Sequence, residues 1–431
     1  MFDRPLKILI VLPLYGGSLP IGYYCADALK KLGHHVELFE APEFLQAHTA
    51  LRSLNISQEK LNILEQNFVQ LISQAIYAQT EENKPDLVLA MAQAPINKIL
   101  LKKLKQDNIV TAMWFVEDHQ VFPYWQLYAP LYDYFFVIQK EPFLQQLQND
   151  KNIKALYLPL AADPDFHKKQ MLTSEEEKFY QADIAFMGAG YPNRRIAFRT
   201  LLKYDFKIWG SDWEGDELLA RYVQKNGQRI SPEESLKIYS ATKINLNLHS
   251  SIHANKLVSH GDFVNPRTFE LAAMGVFQLV DKRQLMPEHF TCSSLKNPRE
   301  DAELAVFDSM EELQENILFY LKHPDLREKI AQNAQKRVTS EHTYIHRMKT
   351  LLQHIKENSQ DFPKKTAEFQ WDNAITPETR EEITALLQEL NLAPNVDFET
   401  VIQCLRKKNT VLTPTETALL FLSEWKKFYN A

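Results

Sequence analysis

The stretch Asn265-Pro266-Arg267-Thr268-Phe269-Glu270-Leu271-Ala272-Ala273-Met274-Gly275-Val276-Phe277-Gln278-Leu279-Val280-Asp281 decides how the chain folds. Pro266 cannot sit inside a helix but suits its first turn. Residues 269–274 favour a helix, and Gly275 is a ready left-handed stop. Residues 276–280 then run as a buried strand. Arg267 and Glu270, three residues apart, share one face at the helix start. That end carries unpaired N–H groups and a partial positive charge, so it can hold a phosphate. Arg267 adds a forked cation for the same phosphate, and Glu270 adds a bidentate acceptor suited to a ribose diol. Taken alone, the pattern fits a capped surface helix with an i,i+3 ion pair better.

Working outward, residues 6–13 read as a buried parallel-type strand, 22–32 as a helix stopped by Gly33, and 35–39 as a second strand. A strand-helix-strand unit of this length opens a doubly wound sheet. Strands follow at 85–91, 110–115, 134–138 and 154–159, with a long amphipathic helix at 57–80 and a shorter one at 96–106. A linker falls at 161–169, and residues 170–182 read as a polar lead-in. The pattern then restarts, with strands at 184–187, 206–209, 244–248, 277–280 and 305–307. Beyond Phe362 the character changes. Thr376-Pro377 and Thr413-Pro414 both read as a cap followed by the first helical residue. The expected organisation is two Rossmann-like domains, 1–163 and 164–360, facing a cleft, and a helical extension at 361–431.

Composition bounds the function. A net charge of −6 argues against electrostatic nucleic-acid binding by the whole chain. Cys25, Cys292 and Cys404 are far apart and odd in number, which suits a reducing cytosol rather than a disulfide scaffold or zinc site. No apolar run reaches the roughly 18 residues of a membrane helix, and no signal peptide is evident, so the expected location is cytoplasmic. Only 11 glycines occur. Two clusters, Gly16-Gly17 with Gly22 and Gly188 with Gly190, follow strands and mark candidate ligand-facing loops.

Arg267-x-Phe269-Glu270-x-x-Ala273-x-Gly275 before an apolar strand resembles the donor-site motif of GT-B glycosyltransferases, and is most similar to the CgeB-like (spore maturation protein-like) family. Residues 183–188, 244–249, 114–118 and Glu341-His342-Thr343-Tyr344 with His346-Arg347 resemble that family's segments in the same order. The resemblance spans about residues 5–355. It implies a GT-B fold and metal-independent transfer of a sugar from a nucleotide-diphospho-sugar to a hydroxyl of a protein or glycan acceptor. No cofactor beyond the donor substrate is expected. A non-catalytic scaffold of the same fold and a nucleotide-sugar epimerase are the rival readings.

Within that frame each candidate has a role. Removing a proton from the acceptor hydroxyl needs a carboxylate or imidazole, and Glu117, Asp118 and His119 stand at a strand end beside Trp114-Phe115. Asp118 and Glu117 are the expected bases, with Asp118 equally suited to capping a helix. Gly188, Arg194 and Arg195 form a loop and helix start expected to contact the diphosphate. His249 is expected at the diphosphate or a sugar hydroxyl. A metal at His249 and His253 is improbable without a third ligand. Asn265, Arg267 and Glu270 complete the donor site, and Gly17, in the loop after the first strand, is expected at the donor phosphate or the acceptor, a plain tight turn fitting equally well. Trp209 and Trp213 flank the expected base position, Trp209 also reading as core. Asp262 lies eight residues before Glu270, where some retaining enzymes carry a glutamate, which leaves the stereochemistry open. The extension is expected to serve acceptor binding or self-association, or equally to pack on the chain's own N-terminal domain as a buttress.

Overall fold

The computed structural model of the chain describes residues 2–150, 153–251, 263–359, 361–363, 376–390, 392, 396, 398–408 and 411–429. Its first sheet holds β1 (Lys7–Val11), β2 (His35–Phe39), β3 (Leu87–Met91), β4 (Val110–Phe115), β5 (Tyr134–Val137) and β6 (Lys154–Tyr157), in the order β2-β1-β3-β4-β5-β6. The second holds β7 (Ala182–Met187), β8 (Phe206–Trp209), β9 (Thr242–Asn247), β10 (Gln278–Asp281), β11 (Cys292–Ser293) and β12 (Leu304–Phe307), in the order β11-β12-β10-β9-β7-β8. Every strand pair is parallel. Parallel strands with helices on both faces must be apolar throughout, and every residue of β3 and β5 is buried. The doubly wound pair of sheets expected from the strand pattern is therefore present.

Strand order reverses between β1 and β3 in the first sheet and between β7 and β9 in the second. At such a reversal the loops leaving neighbouring strands diverge and open a crevice at the carboxyl ends. The loops after β1, β3, β7 and β9 are thus the ones the topology offers to ligands.

Several elements differ from the sequence reading, among them helix Leu45–Arg52, which it lacked, and helix Ser18–Lys31, which starts four residues earlier than read. Residues 174–180 are helical because Thr173 and Glu176 close a capping box. Strand β11 is two residues long, too short for a periodicity signal. Strand β9 ends at Asn247, so Leu248 and His249 leave the sheet.

The two halves form one compact unit, Met1–Pro363. Helix Tyr344–Glu357 returns from the second half and packs on helix Ser18–Lys31 of the first. Arg347, on that returning helix, donates to the carbonyls of Pro159 at 2.7 Å and Leu160 at 3.0 Å, clamping the crossover. Burial pulls its pKa down to about 10. Tyr157 Oη meets His289 Nε2 at 2.7 Å, and Lys140 meets Glu288 at 2.6 Å.

The second unit, Lys364–Ala431, contains helices Pro377–Glu389, Phe398–Arg406 and Pro414–Tyr429. Leu386, Leu387, Val401, Ile402 and Leu405 make its own small core. Lys408 joins its helices by pairing with Glu389 at 2.6 Å and Glu416 at 2.5 Å.

Candidate functional site

Helix Pro266–Ala273 begins where the sequence placed it, and a hydrogen-bond network fixes that start. Asn265 is the N-cap: its Oδ1 accepts the Thr268 N–H at 3.0 Å, and its Nδ2 donates to Asn247 Oδ1 at 2.8 Å. The Asn265 N–H donates to His249 Nε2 at 3.0 Å. On the other side of the imidazole, Asp281 Oδ1 accepts from the His249 N–H at 2.9 Å and lies 2.6 Å from Nδ1. Arg283 Nε sits 3.2 Å from the other Asp281 oxygen, and the side chains of all three are fully buried. This geometry defines the tautomer: Nδ1 carries the proton and Nε2 accepts. Burial, and next the Arg283 charge, push the His249 pKa down to about 4, so the ring is neutral. The expectation that His249 contacts the diphosphate is therefore corrected. Both ring nitrogens hold the end of β9 against the helix start and the end of β10. Asp281, unmarked in the sequence beyond ending a strand, is the missing partner.

Arg267 and Glu270 pair with each other, Nε to Oε2 at 3.2 Å. Arg267 Nη1 also reaches the Met187 carbonyl at the end of β7, 3.3 Å away, and its guanidinium lies 4.9 Å over the Tyr239 ring. Its side chain keeps 30% exposure, which leaves N–H donors facing solvent. Glu270 Oε1 is 3.9 Å from His167 Nε2. His167 Nδ1 lies 3.1 Å from the Asp163 backbone nitrogen and 3.0 Å from the Asp163 carbonyl oxygen, which fixes the ring beside Glu270. Tyr24, on helix Ser18–Lys31, stacks edgewise on His167 at 5.0 Å. Burial, then the Glu270 charge, push the Tyr24 phenol well above its ordinary range. Arg267 and Glu270 thus stand at the reversal between β7 and β9, next to the first half of the chain. Sequence spacing gave no sign of His167 or Tyr24, because they meet Glu270 only through the crossover.

The loop after β7 is held from inside. Arg194 donates to the Leu248 carbonyl through Nε at 3.1 Å and Nη2 at 2.8 Å, and to the Ala189 carbonyl at 2.9 Å. It ties together the two loops that border the crevice, and burial lowers its pKa to about 10. Arg195 donates to the carbonyls of Gly190 at 2.8 Å, Glu214 at 3.0 Å, Trp213 and Asp212. The diphosphate roles expected for these two arginines are revised: their forks shape the loops. Gly188 adopts φ +152°, and its carbonyl accepts from Trp213 Nε1 at 3.0 Å. A Cβ on Gly190 would lie 2.1 Å from the Asp212 carbonyl oxygen, so this glycine is needed for loop packing. Trp209 is core, and Trp213 is buried with its ring stacked on Phe198 at 5.6 Å rather than open to a nucleobase.

On the first sheet, Glu117 follows β4. It accepts from Tyr124 Oη at 3.0 Å and from Gln93 Nε2, and Gln93 lies in the loop after β3. The Gln93 N–H in turn donates to Tyr124 Oη at 3.0 Å. Burial raises the Glu117 pKa above its ordinary value, against the lowering effect of these two hydrogen bonds. Asp118 instead shapes a turn: its Oδ1 accepts the Gln120 N–H at 2.9 Å, and its carbonyl accepts from Phe122 N–H at 2.9 Å. His119 stacks on Phe143 at 4.3 Å and bonds Gln139, so it is structural. Gly17 caps helix Ser18–Lys31 at the end of the loop after β1, exposed, with open space where a Cβ would lie. His253 and Asp262 lie outside the described residues. Among the described residues, no three His, Cys, Asp or Glu side chains cluster as a metal site.

Residues 194–353 match the glycosyl transferase-like family. Spore protein CgeB of Bacillus subtilis (strain 168) is 24% identical over 262 residues, covering 58% of this chain and 77% of that protein. Among solved structures, sucrose-phosphate synthase of Thermosynechococcus elongatus superposes with a TM-score of 0.54 at 14% identity, over 82% of this chain and 99% of that one. A glycosyltransferase of Rickettsia africae ESF-5 gives 0.53 at 16%, over 83% and 100%. Anabaena Alr3699/HepE in complex with UDP-glucose gives 0.53 at 12%, over 82% and 100%. Two doubly wound sheets, the Arg267–Glu270 helix start and these matches agree: the chain has the GT-B fold and is similar to the CgeB-like glycosyltransferases.

Proposed function

We propose that the chain transfers a sugar from a nucleotide-diphospho-sugar to a hydroxyl of a protein or glycan acceptor without a metal ion. The observation that carries this reading is the Arg267–Glu270 pair. It is partly exposed at a helix start fixed by Asn265, at the reversal between β7 and β9. Helix N–H groups and the remaining Arg267 donors supply the positive field that a departing diphosphate needs. Glu270 receives the ribose hydroxyls. HepE, similar in fold, was solved with UDP-glucose, which supports a donor of this class.

Glu117 is the proposed base. A carboxylate with a raised pKa accepts a hydroxyl proton more readily than an ordinary one, and Gln93 and Tyr124 orient it. The steps balance as follows. The acceptor oxygen bonds the anomeric carbon, its proton passes to Glu117, and the anomeric carbon–oxygen bond to the diphosphate breaks. The nucleoside diphosphate leaves with that electron pair. Asp118, committed to its turn, is left as a neighbour of the reaction. The helical unit Lys364–Ala431 is proposed to serve acceptor binding or self-association. Phe421 and Trp425 on its last helix are exposed, which supports such a role.

A thermal-shift panel of nucleotides and nucleotide sugars tests the donor. A specific ligand stabilises in proportion to RT ln(1 + [L]/Kd). One nucleoside diphosphate family should raise the melting temperature, and Arg267→Ala and Glu270→Ala should each abolish the shift. Equal shifts in wild type and both variants would overturn the donor assignment.

A further inference from the structure

Helix Lys98–Gln106, sequence KILLKKLKQ, is the most basic element of a chain whose net charge is −6. Its inner face, Leu100, Leu101 and Leu104, is buried in the core of the first half. At 3.6 residues per turn, Lys98, Ile99, Lys102 and Gln106 then form the outward crest, with Lys103 and Lys105 at its sides, and all six are exposed. Among the described residues, no carboxylate lies within 4.0 Å of any of the four lysines. Each carboxylate pair recorded in the molecule uses another cation. Lys103 lies 3.5 Å over the Tyr77 ring, whose hydroxyl donates to Asp107 at 2.8 Å, and this marks the edge of the patch.

Apolar side chains are set into the same surface. Ile99 is 69% exposed between Lys98 and Lys102, and Leu127 is 60% exposed on helix Trp125–Tyr128. The helices meet where Lys98 Nζ approaches the Tyr128 ring at 5.9 Å. Val121, 47% exposed, precedes that helix. Unpaired cations alone fit any polyanion. Cations interleaved with solvent-facing aliphatic groups fit a surface that is anionic outside and apolar beneath.

We propose that this patch docks the first half of the chain on a bilayer containing anionic lipid. The lysines meet the headgroups, and Ile99 and Leu127 enter the acyl boundary. No described helix is long and apolar enough to cross a membrane, so the contact is peripheral. The patch is joined to the Glu117 site by short segments. The loop that carries Gln93 leads into helix Lys98–Gln106, and Tyr124 precedes helix Trp125–Tyr128. Docking there would hold the acceptor side of the crevice at the membrane surface. The proposal goes beyond glycosyl transfer and is measured without any donor.

The test is flotation of the full chain with phosphatidylcholine vesicles and with vesicles mixing phosphatidylcholine and phosphatidylglycerol. Binding should appear only with the anionic mixture and weaken as salt rises. Lys98→Gln/Lys102→Gln/Lys105→Gln should weaken it on the order of 100-fold. Ile99→Ser/Leu127→Ser, which leaves the charge unchanged, should weaken it further than an electrostatic contact would. Circular dichroism and an unchanged melting temperature confirm that both variants fold. Three results would overturn the proposal: equal binding to neutral and anionic vesicles, no binding to either, or anionic binding indifferent to Ile99 and Leu127. The last, with equal retention on a soluble polyanion, would identify a polyanion site instead.

Discussion

The two sides of the crevice use charge differently. Around β7, β9 and β10, charged and polar side chains are committed inward: Arg194 and Arg195 to carbonyls, His249 to Asp281 and the Asn265 N–H. Arg267 and Glu270, paired with each other, keep part of their surface toward solvent. Around β3 and β4, the Glu117 carboxylate is held by two neutral partners, and among the described residues no cation pairs with it. The first arrangement is a rigid cradle whose shape is set before ligand arrives. The second is a carboxylate whose proton affinity burial has raised. Pre-set donors cost little reorganisation during reaction, while a base needs a pKa tuned toward its working pH.

Glu117→Gln tests the second arrangement and should have the largest effect. Turnover should fall on the order of 100- to 10,000-fold, with donor affinity unchanged in titration calorimetry. The acidic limb of wild-type kcat/KM should lie above the ordinary Glu value of 4.5. Asp118→Asn should fall far less. If Asp118→Asn instead abolishes turnover, the base is the neighbour and the comparison fails.

Arg194→Met tests the cradle. It leaves the Leu248 and Ala189 carbonyls without their charged donor, so stability should drop by about 2–4 kcal/mol. Arg267→Met should change stability by only about 0.5 kcal/mol yet weaken donor binding on the order of 10- to 100-fold. Denaturant melts and calorimetry on the two variants separate an arginine that holds loops from one that meets ligand. Identical behaviour would erase the distinction.

Acid should act on the two sides with opposite sign. His249 has its pKa depressed from 6.5 to about 4, and His289 likewise to about 4. Between those values the unfolded chain binds protons that the folded chain does not, so stability falls as pH drops from 6.5 toward 4. Glu117 has the opposite sign. Its folded pKa is raised, so its contribution is complete at low pH and is lost as pH rises through that value. Thermal melts should show stability declining below pH 6.5, with a shallower decline in His249→Gln, whose amide binds no proton.

The smallest effect is expected at Gly17. Its φ of −71° and open surroundings let alanine fit, so Gly17→Ala should leave stability unchanged or gain about 0.4–1 kcal/mol. Weaker donor binding in that variant would extend the cradle to the first sheet.

The sequence by itself determined the two sheets and the start of helix Pro266–Ala273. Parallel strands are unbroken apolar runs, and a cap, proline and glycine delimit that helix using neighbours in sequence. It also marked Glu117, Arg267 and Glu270, because strand ends and helix starts are local features. It could not say which charges face inward. Arg194 and Arg267 look alike as residues near a helix start. One reaches carbonyls 54 positions away, and the other keeps a solvent-facing edge. His249 looked like a ligand until Asp281, 32 positions on, took its proton. Gln93 and Tyr124 were invisible beside Glu117 because they arrive from another loop and a later helix. Only the tertiary structure decided these roles, since a polar group's task depends on which distant backbone or side chain satisfies it once water is excluded.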